Sequence, residues 1–347
     1  MKNYKKIIEE DADYIMKVNL PWEDLKDAKI LITGATGFMA GYLIRFLIAL
    51  SSKNKLNIKI TGTVRNLEVA QKKFKNDDFM ILKLIELSIL DEIKINKKYD
   101  YIFHMASVAS PKLFKDDPKG VVLPNTLGTI NLLKFATTMN LKRFIFFSTT
   151  GVNGFVDDDI RPISEDEYGG LDPTKLKNCY LESKRMGENF CIAWHEQDNV
   201  PIQIVRPAIT YGPGVPLDDG RSYADFIKSI VNNENIVLYS KGEAIRNFCY
   251  IADFISGLFH VIFKGKIGDV YNVSTELEHS IKQVALMLTK DIFKDQNLSV
   301  EFDIGSNIDI RPEFKRTTVS TKKVRSLGWE PYFSLKDGIK RTVKSYL

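Results

Sequence analysis

The sequence predicts an α/β fold: a doubly wound parallel sheet followed by a smaller mixed α/β region. Three observations carry that prediction. Lys29 to Tyr42, KILITGATGFMAGY, reads as a buried strand, a tight glycine turn and a helix. Short apolar runs then alternate with helically spaced segments as far as about residue 205, the pattern of a parallel sheet with right-handed crossovers. Beyond that point Pro207, Pro213 and Pro216 crowd together and the elements become short and mixed.

The chain begins with Ile7, Ile8, Tyr14, Ile15 and Val18 at rough helical spacing up to Pro21-Trp22, so residues 1–28 are expected to form a helical N-terminal extension packed on the main body. Ile30-Leu31-Ile32 is the apolar run of a strand buried on both faces. In the turn after it, Gly34 permits the bend and Gly37 lets backbone approach a pyrophosphate without a Cβ in the way. Ala40 stands where a third glycine often sits and still allows close helix–strand packing. The helix from Gly41 to Leu50 turns its free N–H groups and positive dipole end toward phosphate oxygens. The stretch therefore reads as a Rossmann-type dinucleotide site with Gly34, Thr36, Gly37, Phe38 and Met39 at its turn.

Residues 58–64 make a second strand, 67–74 a second helix and 79–87 a third strand. Tyr101 to Met105 follows the turn-prone Lys97-Lys98-Tyr99-Asp100 as a fourth strand. A long helix is expected over about 124–140, an intensely apolar strand over Phe144 to Phe147, and a further helix from Tyr180 to about Trp194. The dinucleotide-binding domain would cover 29–205 with a contribution from about 246–275, and the substrate-binding region 206–245 and 276–347.

Composition excludes several classes. A hydrophobic content of 44% with 27% charged residues is that of a soluble globular protein. The net charge of +5, from 49 basic and 44 acidic residues, is mild and its lysines are scattered, which argues against nucleic-acid binding. No apolar run has the length of a signal peptide core or a membrane span. Cys179, Cys191 and Cys249 are an odd count without metal-ligand spacing, as reduced thiols in a cytoplasmic protein would be. His195 and His260 lie on apolar helical stretches as core histidines, and no metal site is expected.

Ligands in a parallel sheet bind at the carboxyl ends of the strands, so functional residues should follow each strand. Ser148-Thr149-Thr150 does so, and a hydroxyl there can bond a substrate oxygen whose charge changes in the transition state. Tyr180 and Lys184, four apart, share one helix face. A phenol ordinarily titrates near pH 10, and a neighbouring ammonium should lower that value. Tyrosine so tuned can take a proton from a sugar hydroxyl or give one to a ketone while a hydride moves.

Taken in order, TGATGFMAG at 33–41, HMASVAS at 104–110, NTLGTINLL at 125–133, FSTTGVNG at 147–154, YLESK at 180–184, RPAITYGPG at 206–214, DDGR at 218–221, RNFCYIAD at 246–253 and LGWEP at 327–331 resemble the extended short-chain dehydrogenase/reductase enzymes that modify nucleotide sugars. The resemblance spans roughly residues 29–335. It implies Thr149, Tyr180 and Lys184 as catalytic residues, with Asn125 bracing the lysine through water. It further implies that His104, Ala106, Ser107, Ser148 and Arg206 line an NAD or NADP cofactor, with Tyr180 and Lys184 against the nicotinamide. Ser107, Thr150, Arg221 and Arg246 would hold the nucleotide-sugar substrate, the arginines through its diphosphate or base, as guanidinium geometry suits. The helices near 124–140 and 180–196 resemble the pair through which such enzymes form homodimers.

Two positions depart from the family pattern. Arg65 stands where NAD-preferring members place an acidic residue for the ribose hydroxyls, and it can instead clasp a 2′-phosphate. Thr150-Gly151 replaces the Asp-Glu of the family's dehydratases, and its decarboxylases usually carry a glutamate at position 151. Dehydration and decarboxylation thereby lose their expected acid–base group. Hydride chemistry at a sugar carbon, C4 above all, remains. Arg65 tilts the reading toward a 4-ketoreductase, with a 4-epimerase holding its NAD tightly as the alternative. A non-catalytic nucleotide-binding regulator on the same fold would leave the Tyr180/Lys184 pair unexplained.

Overall fold

Ile30, Leu31 and Ile32 are wholly buried at the centre of a seven-stranded parallel sheet, as a strand covered on both faces must be. The computed structural model describes residues 2–75, 77–157, 160–304 and 314–347. An N-terminal helix α1 (Lys2–Met16) precedes β1 (Lys29–Thr33), and α2 (Phe38–Asn54) follows the glycine turn. Next come β2 (Lys59–Val64), α3 (Leu67–Lys73), β3 (Leu82–Glu86) and β4 (Tyr101–His104). Helices α4 (Pro111–Asp116), α5 (Pro118–Asn125) and α6 (Leu127–Ala136) lead to β5 (Arg143–Phe147), α7 (Cys179–Asp198) and β6 (Ile202–Pro207).

The remaining elements are shorter: β7 (Ile209–Tyr211), α8 (Ser222–Asn232), β8 (Ile236–Leu238), β9 (Ile245–Tyr250), α9 (Ile251–Lys264), β10 (Asp269–Val273), β11 (Glu278–Ser280), α10 (Ile281–Met287), β12 (Val300–Phe302), α11 (Lys322–Arg325) and α12 (Leu335–Lys344). The large sheet runs β10-β6-β5-β4-β1-β2-β3, so the order reverses between β1 and β4 and opens a crevice above their carboxyl ends. A small sheet of β11, β9 and β7 and a β12–β8 pair make up the second lobe. β10 comes from late in the chain yet pairs with β6 from Asp269↔Gln203 to Val273↔Pro207.

The long helix expected over 124–140 is instead two. Asp117 caps α5 by accepting the Gly120 N–H, Pro118 occupies its first turn, and the chain leaves helical geometry at Thr126 (φ −110°, ψ −83°). The helix continues through Pro124 to Asn125, so the non-helical backbone of Thr126 is what separates α5 from α6. The third strand is likewise shorter than 79–87: Phe79 and Met80 are exposed in a turn before β3.

The N-terminal helix is tied down by a buried carboxylate. Asp11 accepts hydrogen bonds from Tyr42 on α2 (2.8 Å), Tyr250 at the end of β9 (2.7 Å) and both Nε and Nη2 of Arg341 on α12 (3.0 and 2.6 Å). A charge removed from water needs such partners. Here they come from both lobes, so α1 staples the lobes together.

Candidate active site

Gly34 adopts φ +66°, and a Cβ there would lie 2.7 Å from Ala106 Cα, so only glycine fits where the two chain segments meet. Gly37 caps α2 without any side-chain hydrogen bond, leaving the first amides of that helix without a side-chain acceptor. Thr36, Phe38 and Met39 are half-buried around the same turn. The hydroxyls of Ser107, after β4, and Ser148, after β5, are buried and have no partner among the described residues. Arg65 is exposed just past β2. Open amides at a helix start, room for a close backbone approach and unsatisfied hydroxyls on the sheet edge fit a dinucleotide.

Along the next strand end, Thr149 accepts the Gly151 N–H at 3.3 Å, and its hydroxyl acts on the Tyr180 phenol so as to favour ionisation. Tyr180 stacks on Phe114 of α4 (centroids 5.5 Å apart, planes at 13°). Burial pushes its phenol up to about 12, and Arg221 and the Thr149 hydroxyl oppose this only in part. The expected lowering by Lys184 is absent. The Lys184 ammonium instead donates to the Phe147 carbonyl at 2.5 Å and lies 5.0 Å from the centre of the Phe146 ring. Burial lowers Lys184 to about 7, against the opposing pull of Glu188.

Asn125 is buried beside this pair, donating to Val121 O (3.1 Å) and Ser183 Oγ (3.0 Å), with its Oδ1 unsatisfied. Arg221 opens α8, ion-pairs with Asp219 and lies 5.2 Å from the centre of the Tyr223 ring. Ser110 Oγ donates to Asp219 O at 3.1 Å, which ties this second-lobe loop to the segment after β4. Thr150 opens the short 3₁₀ turn over Thr150–Asn153 and is half-buried beside Thr149. A side chain at Gly151 would put its Cβ 2.6 Å from Leu181 Cδ2.

Three expected residues are placed elsewhere. His104 does not offer a nitrogen to a cofactor, because both ring nitrogens are used inside the fold. Thr33 Oγ1 accepts N–H bonds from Met105 and Ala106, so its own hydrogen goes to His104 Nδ1 (3.1 Å). Thr129 Oγ1 spends its hydrogen on Asn125 O (2.7 Å) and accepts from His104 Nε2 (3.0 Å). This assigns the Nε2–H tautomer, and burial, aided by Lys184, lowers the imidazole to about 3.

Arg206 is not brought to Tyr180. It is wholly buried, with Nε and Nη2 on the Glu188 carboxylate (2.8 and 2.7 Å), Nη1 on Glu165 O and Nη2 on Tyr168 OH. A guanidinium on a buried strand must find a carboxylate, and Glu188 on α7 is the one within reach. Arg246 on β9 donates to the carbonyls of Ile245 and Phe314, both at 2.8 Å.

His260 is a buried histidine bonded to Ser256 O, whereas His195 is only half-buried near the end of α7. The three cysteines are free, Cys191 and Cys249 buried and Cys179 half-buried. Among the described residues no cluster of His, Cys, Asp or Glu could hold a metal, and no helix is long and apolar enough to cross a membrane. Phe114 and Lys73, whose ammonium reaches Thr36 O at 2.7 Å, carry no sequence signal of their own. Phe114 arrives from α4, which the sequence pattern does not place, and Lys73 ends α3, the expected second helix, whose approach to the glycine turn only the packing decides.

A family model described as NAD dependent epimerase/dehydratase family matches residues 30–274. UDP-glucuronic acid decarboxylase 1 of Xenopus tropicalis is 29% identical over 322 residues, covering 92% of this chain and 72% of that protein. UDP-glucuronic acid decarboxylase 3 of Arabidopsis thaliana is 29% identical over 316 residues, covering 90% and 86%. The solved UDP-glucuronic acid 4-epimerase from Bacillus cereus, in complex with UDP-glucuronic acid and NAD, superposes with a TM-score of 0.76 at 24% identity over 92% of this chain and 98% of that one. RMD from Pseudomonas aeruginosa, complexed with NADPH, gives a TM-score of 0.69 at 20% identity over 92% and 98%. By this match and by its own glycine turn and strand order, the chain belongs to the NAD dependent epimerase/dehydratase family.

Proposed function

We propose that this protein transfers a hydride at a sugar carbon, C4, of a nucleotide-diphosphate sugar, and that it runs as a 4-ketoreductase. The observation that carries the reading is the placement of Thr149, just after β5, and Tyr180, at the start of α7, at the carboxyl edge of the sheet, with the positive charge of Arg221 acting on the phenol and no carboxylate at 150 or 151. When bound, a nicotinamide dinucleotide supplies the hydride. The glycine turn, Ser107 and Ser148 hold it, and Arg65 favours the 2′-phosphate of NADP. Thr149 orients the substrate oxygen, and Tyr180 delivers a proton to it. A phenol held near 12 is protonated at pH 7, the form that ketone reduction needs. Arg221 faces the substrate's diphosphate, and its pairing with Asp219 fixes the fork.

The curated relatives are named decarboxylases, but Gly151 supplies no acid–base group here and Leu181 fills the space beside it. A 4-epimerase is the second reading, favoured by the solved relative that binds NAD. Mass spectrometry of the co-purified nucleotide, followed by turnover assays, separates the two. The reductase consumes NADPH stoichiometrically with a 4-keto nucleotide sugar. Interconversion of sugar epimers with no net cofactor turnover would overturn it. The substrate lobe is drawn from 206–245 and the described part of 276–347, joined by β9, whose strand lies in the same small sheet. The protein forms a homodimer through the helices near 124–140 and 180–196, α6 and α7, where Leu127 and Met186 are exposed apolar residues, and a monomer mass by light scattering at micromolar concentration would refute that.

A further inference from the structure

Tyr180 stands in the first turn of α7, and the lysine that shares its face gives its ring no support. Lys184 donates to the Phe147 carbonyl at 2.5 Å instead. What lies against the phenol comes from α4. The Phe114 ring is parallel to it within 13°, with centroids 5.5 Å apart, the offset stack that two aromatic faces favour.

Sequence and packing both hold the Phe114 ring. α4 has six residues, Pro111–Asp116, of which Pro111 and Phe114, three positions apart on one face, are buried, while Lys112, Lys115 and Asp116 are exposed. Both ends of the helix are anchored. At its start the Ser110 side chain does not cap the helix, and its hydroxyl donates to Asp219 O at 3.1 Å in the second lobe. At its end Asp117 N–H donates to Leu113 O at 3.0 Å, and the Asp117 carboxylate caps α5. Asp219 also ion-pairs through its carboxylate with Arg221, whose charge acts on the Tyr180 phenol. One residue of the second lobe therefore holds both the helix that carries Phe114 and the guanidinium that favours the phenolate. Burial, which opposes that guanidinium and keeps the phenol protonated, includes the ring stacked on it.

We propose that Phe114 is a positioning residue for the proton donor: its ring, set by α4 and the Ser110–Asp219 bond, fixes the plane of the Tyr180 phenol and shields one of its faces from water. The inference rests on the reading of Tyr180 as proton donor. Proton transfer needs the phenol oxygen within hydrogen-bond reach of the substrate oxygen, about 2.6–3.2 Å. A flat neighbour restricts the tilt of a phenol in a way that an aliphatic chain does not.

Two measurements test this. With a 4-keto nucleotide sugar, Phe114→Leu, which stays apolar but loses the flat ring, should lower kcat about tenfold with KM within about twofold of the wild type. Phe114→Tyr should recover most of the loss. Nitration by tetranitromethane, followed at Tyr180 by peptide mass spectrometry, reads the shielded face without turnover. Tyr180 should be nitrated about tenfold faster in Phe114→Leu than in the wild type. A melting temperature equal to the wild type's shows that the variant is folded, and Phe114→Met, the other unstrained apolar replacement, takes its place where that fails. A nitration rate equal to the wild type's overturns the proposal, as does an unchanged kcat whatever happens to KM, and either leaves the hydride chemistry standing. If the wild type turns over no keto-sugar, the hydride reading falls, and the nitration rates alone decide whether Phe114 shields the phenol.

Discussion

Lys184 Nζ donates to the Phe147 carbonyl at 2.5 Å, so the ammonium sits under the end of β5 instead of on the phenol four residues before it. The bond holds the strand end from which Ser148 and Thr149 project, while the Arg221 charge and the Thr149 hydroxyl oppose the rise that burial gives the Tyr180 phenol. Lysine and tyrosine on one helix face thus meet two successive parts of the same strand–loop junction. Replacing Tyr180 by phenylalanine keeps the ring on Phe114 and removes only the proton donor. Turnover of a 4-keto nucleotide sugar should fall by about 10²-fold or more, with nucleotide binding retained by titration.

Histidine 104 predicts a pH dependence of stability. Its folded value, about 3, lies below the usual 6.5, so between those values the unfolded chain binds a proton that the native state refuses. Stability is therefore held above about pH 6.5 and lost as pH falls. Urea unfolding should show the wild type losing about 1.5 kcal/mol between pH 6.5 and 5 from this group, a slope that His104→Gln lacks.

The Asp11 carboxylate gathers Tyr42, Tyr250 and Arg341 from both lobes. Removing it leaves Arg341 partly buried with Glu10 as its one remaining carboxylate among the described residues and two phenols without their acceptor. Asp11→Ala should cost about 3 kcal/mol, read as a lower urea midpoint.

A methyl group at Gly34 would meet Ala106 Cα at 2.7 Å on a backbone at φ +66°. Gly34→Ala should destabilise by about 1–3 kcal/mol from the backbone strain alone and abolish the thermal shift that NAD or NADP gives the wild type.

Some of this was readable in the chain because its causes are local. A buried strand, a glycine turn and a helix start are each specified within a few residues, so the dinucleotide fold and the crevice at residues 34–37 follow from Lys29 to Tyr42. The i, i+4 spacing put Tyr180 and Lys184 on one face for the same reason. Where each side chain ends depends on what other elements bring to it. Arg206 was captured by Glu188, eighteen positions earlier, and His104 by Thr33 and Thr129. Burial outweighed charge at Tyr180 because the nearest ammonium had found a carbonyl. By itself the sequence determined the sheet, the turn and the family of chemistry. Only the tertiary structure decided which titratable groups share an environment, since a charge buried far from water takes whichever partner the packing delivers.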